Sequence, residues 1–181
     1  MFIKRKAGVY LLIPVMLLLF IGLSAEDTAE QTLSLRVSEI CIVSVSGSPS
    51  ELLITSAGSG GESPLQASDN QSYIQYSSTV SSDTIRSITV RWADNDAAPS
   101  GCILKLTAFP GNESYEGHST GETVLSSSPQ PLLSNIGSCA TGTGPGEGAR
   151  LNYTLRVVDS SLLKAGEQRN VNITFTLTDV S

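Results

Sequence analysis

Residues 170–179 read Asn-Val-Asn-Ile-Thr-Phe-Thr-Leu-Thr-Asp. Val171, Ile173, Phe175 and Leu177 alternate strictly with Asn172, Thr174, Thr176 and Thr178, the two-residue period of a strand with one dry and one wet face. Just upstream, residues 150–159 form a second long strand pattern, and Lys164-Ala165-Gly166-Glu167 supplies turn chemistry between the two. The only helical turn indicated lies at 160–165. Moving towards the N-terminus, strands are expected at 32–37, 51–57, 72–80, 86–93, 102–109, 122–126 and 132–136, separated by Pro-Ser-Gly, Pro-Gly-Asn and the run Thr-Gly-Thr-Gly-Pro-Gly-Glu-Gly. About nine or ten short strands at this spacing predict an all-β chain, an antiparallel immunoglobulin-like β-sandwich. Its expected core includes Leu35, Val37, Ile88, Val90, Trp92, Leu104, Leu106, Leu155, Val157, Ile173, Phe175 and Leu177. No domain boundary interrupts residues 26–181, which read as a single β-sandwich domain.

The first 25 residues differ in kind. Lys4, Arg5 and Lys6 precede an almost wholly apolar run from Ala7 to Leu23, and Ala25 offers a small-residue cleavage site before Glu26 and Asp27. This is the layout of a secretory signal peptide over residues 1–25. The rival reading is a retained signal anchor, which Pro14, Gly22 and a run of roughly 17 apolar residues make short for a span of ~20. Cleavage implies export, to the periplasm, the cell surface or the medium, with no membrane span left.

The chain has 181 residues with 11 Lys+Arg against 17 Asp+Glu, a net charge of -6. Without Lys4, Arg5 and Lys6 the balance is 8 against the same 17, a net of -9. So acidic a surface, with scattered cations, cannot neutralise a phosphate backbone, which excludes nucleic acid as a partner class. The single histidine, His118, lies in a polar loop. No G-x-S-x-G elbow is present, and the Gly-rich run at 142–148 lacks the Lys-Ser/Thr of a phosphate loop. These absences point away from an enzyme and from any cofactor. Asp94 and Asp96, with Asp69 or Asp83, could place oxygens on calcium, but a bidentate Glu at the expected position is missing, and a solvated strand-end turn is the simpler reading.

Cys41, Cys102 and Cys139 form an odd set. Cys102 and Cys139 fall at strand–loop junctions, and the expected outcome is a Cys102–Cys139 disulfide with Cys41 as a buried, reduced thiol in the run Ile40-Cys41-Ile42-Val43.

A leading apolar segment, a Ser/Thr-rich all-β chain of about pilin size and the closing strand Asn-Val-Asn-Ile-Thr-Phe-Thr-Leu-Thr-Asp together resemble bacterial secreted fimbrial or pilus-type surface subunits. The stretch from Gly137 to Asp179 carries most of this likeness: a long strand, a short turn and a last strand. The resemblance implies a structural or adhesive role, with self-assembly or contact with other surface proteins. The segment 32–37 bears on it directly. Its Leu33, Leu35 and Val37 project to one side, and the strand either pairs within its own sheet or adds to the open edge of a neighbouring subunit. The alternative function is an extracellular glycan- or protein-binding module using loop aromatics such as Tyr73, Tyr76, Phe109 and Tyr115.

Overall fold

The structure, a computed structural model, describes residues 31–55, 61, 66–82 and 84–180. The expected signal peptide at 1–25 lies outside them, as does Asp83.

The described residues are all-β, with no α-helix. Ten strands are present: β1 Ile40–Ser46, β2 Gln66–Thr79, β3 Ile85–Trp92, β4 Cys102–Phe109, β5 His118–Ser119, β6 Thr123–Val124, β7 Gln130–Ile136, β8 Cys139–Ala140, β9 Ala149–Val157 and β10 Ile173–Val180. A single 3-10 turn, Ser160–Leu162, is capped by Asp159, whose side chain accepts from the Ser161 amide. No helix among these residues is long and apolar enough to cross a membrane.

Two antiparallel sheets result. The first has the order β1-β2-β9-β4-β6, with β8 also pairing β2; the second has the order β10-β3-β7-β5. Period-two patterning decides which face of each strand is dry. In β2, Ser72, Ile74, Tyr76 and Ser78 are buried; in β9, Ala149, Leu151, Tyr153 and Leu155 are; in β3, Ile88 and Val90 are. Leu104, Leu106 and Ala108 of β4 and Leu132, Leu133 and Ile136 of β7 complete one shared core between the sheets. Gly101 sets the start of β4. Its φ of +77 is the left-handed region, and a Cβ there would lie 2.2 Å from the Asp159 carbonyl. Its own carbonyl accepts the amides of Val158 and Asp159, which ties this turn to the end of β9.

Several expectations are corrected. Residues 31–39 carry no strand, so Leu35 and Val37 do not join the core; the first ladder begins at Ile40, where pairing with Thr79 starts. Residues 51–55 also carry none, although Leu52 and Ile54 pack partly against the core. Trp92, Ile173 and Phe175 are only half-buried. All three cysteines are free, and Cys41 is exposed rather than buried. The Cys102–Cys139 bridge fails on distance. Cys139 pairs with Ser78 at one end of β2, whereas Cys102 pairs with Val157, beside the other end of β2 where Gln66 meets Arg156. That places the two about 40 Å apart along the strand direction, against the ~4–7 Å between Cα atoms that a disulfide needs.

The core holds two phenols. The Tyr76 hydroxyl donates to the Glu116 carbonyl at 2.5 Å, and burial holds its pKa far above the usual tyrosine value. Burial, reinforced by the Asp69 charge, pushes Tyr153 up to about 12. A raised folded-state pKa contributes stability that is fully present below the unfolded value of ~10 and is lost as pH rises through the folded value. Alkaline titration should therefore hold the fold intact to about pH 10 and unfold it cooperatively above. Absorbance at the tyrosinate band, followed beside circular dichroism, should show Tyr153→Phe flattening that loss. An unchanged slope would refute the assignment.

Candidate functional site

The β1–β2 register sets Cys41, Val43 and Val45 opposite Ser78, Tyr76 and Ile74. Residues directly opposite in a ladder project to the same face, so these three β1 side chains stand on the core side of the first sheet. Their β2 partners are buried. Cys41 is nevertheless exposed and Val45 is 48% exposed. In the second sheet β10 is an edge strand, paired with β3 alone. Of its core-side residues Leu177 is buried, while Ile173 and Phe175 remain half-covered. Edge strands β1 and β10 are not hydrogen-bonded to each other, a gap in pairing bordered by these partly covered apolar side chains.

The gap is closed at one end. There the Cys41 thiol donates to the Leu177 carbonyl at 3.5 Å. Arg86, 2% exposed, stands on the dry face of β3 and reaches both edge strands. Its Nε donates to Asp179 Oδ1 at 2.7 Å, one Nη to the Ile40 carbonyl and to Ser78 Oγ, and the other lies 3.8 Å from a Glu39 carboxylate oxygen. The hydrogen bond to Asp179 raises the Arg86 pKa further, against the opposing pull of burial. A guanidinium suits this place because its planar fork serves several acceptors at once.

The other end is open. A cleft of about 1030 Å³ lies between residues 49–54, which follow β1, and residues 163–171, which precede β10. Its floor includes Cys102 and Leu104 of β4 with Tyr153 and Leu155 of β9. Glu167 anchors the far wall: Arg169 donates to its carboxylate at 2.8 and 3.1 Å and the Ser100 amide at 3.2 Å. These bonds, Arg169's first, hold the Glu167 pKa below the usual carboxylate value.

Leu33, Leu35 and Val37 lie in the strandless stretch and are 74%, 85% and 84% exposed. The aromatics divide. Tyr76 is core, Tyr115 is exposed, and Phe109 lies under the Arg150 guanidinium at 5.4 Å. Only Tyr73, half-buried on the outer face of β2, lines a pocket of polar side chains. The Asp94 and Asp96 oxygens are engaged: Arg91 donates to Asp94 at 3.3 Å, and the Asn172 amide to Asp96 at 2.5 Å. No group of three or more His, Cys, Asp or Glu is gathered as for a metal ion among the described residues.

Thiol chemistry tests this geometry. Burial raises the pKa of both Cys102 and Cys139, with the Glu167 and Glu116 charges adding to it, so both are weak nucleophiles at neutral pH. Titration of the oxidant-exposed protein without reductant should find three thiols, with Cys41 reacting first and the other two slowly. Recovery of a linked Cys102–Cys139 peptide would overturn the arrangement.

The open edge was not visible in the sequence. Its one signal was Val43 and Val45 sharing a face with a cysteine, hidden by the apolar Ile40 and Ile42 on the opposite face. No family model, curated protein or solved structure matches the chain.

Proposed function

We propose that the protein is an exported structural or adhesive surface subunit of fimbrial type, whose paired sheets form an immunoglobulin-like sandwich short of one edge strand. The strand is supplied by residues 32–37 of a second copy, which enter the gap between β1 and β10. One observation carries this reading: apolar core-side residues of both edge strands are only partly covered, Val45 being 48% exposed, and the same chain carries an exposed, alternating apolar segment. A strand added to β10 gains backbone hydrogen bonds, and Leu33, Leu35 and Val37 cover Val43, Val45, Ile173 and Phe175. Burying three aliphatic side chains contributes roughly 5–8 kcal/mol before ordering costs. The apolar run and small-residue site at 1–25 support export, and the low charge supports a role in contact.

Cys41 lies at the closed end and Cys102 on the floor of the open cleft, and these two thiols provide the test. With Leu35→Cys, mild oxidation should give a ladder of disulfide-linked multimers on non-reducing gels, lost when Cys41→Ser and Cys102→Ser are added. A Leu35→Cys protein that stays monomeric under oxidation, or a ladder insensitive to both serine substitutions, would refute strand exchange.

A further inference from the structure

A second concavity lies on the outer face of the first sheet and owes nothing to the gap. It has a volume of about 550 Å³, within the range of small-molecule sites. Ser46 and Gly47 at the end of β1, Asn70, Gln71 and Tyr73 of β2, and the loop 143–146 form its walls. The β2–β9 register shifts between Asp69 and Ser72, so Asn70 and Gln71 are free of the ladder and can turn their amides to a ligand.

The loop that closes this concavity is held in place. Gln75 Nε2 donates to the Gly144 and Glu147 carbonyls at 2.9 and 3.2 Å, and Thr141 Oγ1 accepts the Tyr76 amide at 3.0 Å. The Glu147 carboxylate is turned into its own loop, accepting the Gly144 amide at 2.6 Å. No Asp, Glu, Lys, Arg or His therefore contributes to the lining. What does contribute is a phenol ring, two carboxamides and two hydroxyls. The Ser46 hydroxyl is cut off from solvent and has no hydrogen-bond partner among the described residues. A buried hydroxyl without a partner is unusual, and a ligand group reaches this one only by displacing the atoms that seal it.

From this set we infer a binding site for a neutral saccharide. Paired amides and hydroxyls match the vicinal hydroxyls of a sugar, which both donate and accept. The Tyr73 ring gives the apolar face of the pyranose a surface to stack on, with its hydroxyl still free to bond. The absence of ionised groups selects against sialylated, sulfated and uronic-acid sugars, because nothing in the wall compensates their charge. The site is distinct from strand exchange and would operate in a monomer or in an assembly.

The test uses the full chain and a panel of methyl glycosides of glucose, galactose, mannose and N-acetylglucosamine, with a sialoside and a sulfated sugar for comparison. Saturation-transfer NMR should show at least one neutral glycoside bound, with an affinity unchanged between low and high salt. Tyr73→Ala should weaken it about tenfold or more. Thr143→Val, which removes one wall hydroxyl with little change of shape, should weaken it while leaving the unfolding midpoint unchanged. Binding of charged sugars alone, binding indifferent to both substitutions, or no binding across the panel would each overturn the proposal.

Discussion

Deleting residues 26–37 should leave a folded monomer that no longer associates. The first ladder begins at Ile40, and the deleted stretch holds no strand among its described residues. Loss of its described residues, 31–37, therefore breaks no strand pairing and removes no buried side chain, so the circular dichroism spectrum and unfolding midpoint should match those of the full chain. Association should fall by far more: losing even half of the ~5–8 kcal/mol from three aliphatic side chains is roughly 70- to 900-fold in affinity. Leu35→Asp should do nearly as much through one residue, since it places an unpaired carboxylate in an apolar gap. Sedimentation velocity separates the outcomes. An unfolded or aggregated truncation product would mean that the segment belongs to its own domain, and a truncated chain that still assembles would exclude it as the donor.

Arg86→Ala should be the most damaging single substitution at the closed end, costing about 3–5 kcal/mol. It leaves the Ile40 carbonyl and the Ser78 hydroxyl without their donor, frees Asp179 and Glu39 from the cation that holds them, and opens a void on the dry face of β3. Asp179→Ala should cost less, about 2 kcal/mol, because the Arg86 charge stays buried but keeps its other acceptors. Urea unfolding reads both as shifts in midpoint at unchanged slope. Costs below about 0.5 kcal/mol for Arg86→Ala would show that the edge strands hold together without it.

Where turn chemistry and period agreed, the sequence was sufficient. Residues 102–109 were expected as a strand and form β4 with those bounds, because Gly101 provides a conformation that only glycine adopts easily and the alternation of Leu104, Leu106 and Ala108 has a core to face. The segment 32–37 has an equally good alternation yet forms no strand. Periodicity is a property of one segment, whereas a ladder needs a partner. The reverse happened at β1. Ile40, Cys41, Ile42 and Val43 are apolar on both faces, which erased the period, and β2 supplied the pairing regardless. The cysteine pairing failed similarly, since junction positions in the chain carry no information about which ends of a sheet they occupy. The lack of pairing between β1 and β10 was beyond reach for the same reason: it depends on how two distant segments meet, not on either one alone. Of the proposed saccharide site, Tyr73 and the Gly-rich run at 142–148 were singled out separately; what brings them together is a β-bulge and a ladder between segments about 70 residues apart in sequence.

The uncovered edges and the apolar residues at 33, 35 and 37 are different surfaces of one chain, and that difference governs symmetry. A patch that fits itself closes after two copies, whereas a socket and a plug on the same molecule leave one of each unsatisfied however many copies join. Under the proposed strand exchange, growth is open-ended and its product polar: one terminus exposes only a socket, the other only a plug. The truncated chain described above would retain the socket alone. Mixed in at a few per cent, it should terminate chains at one end and shorten the length distribution well beyond its own mole fraction, without entering their interior.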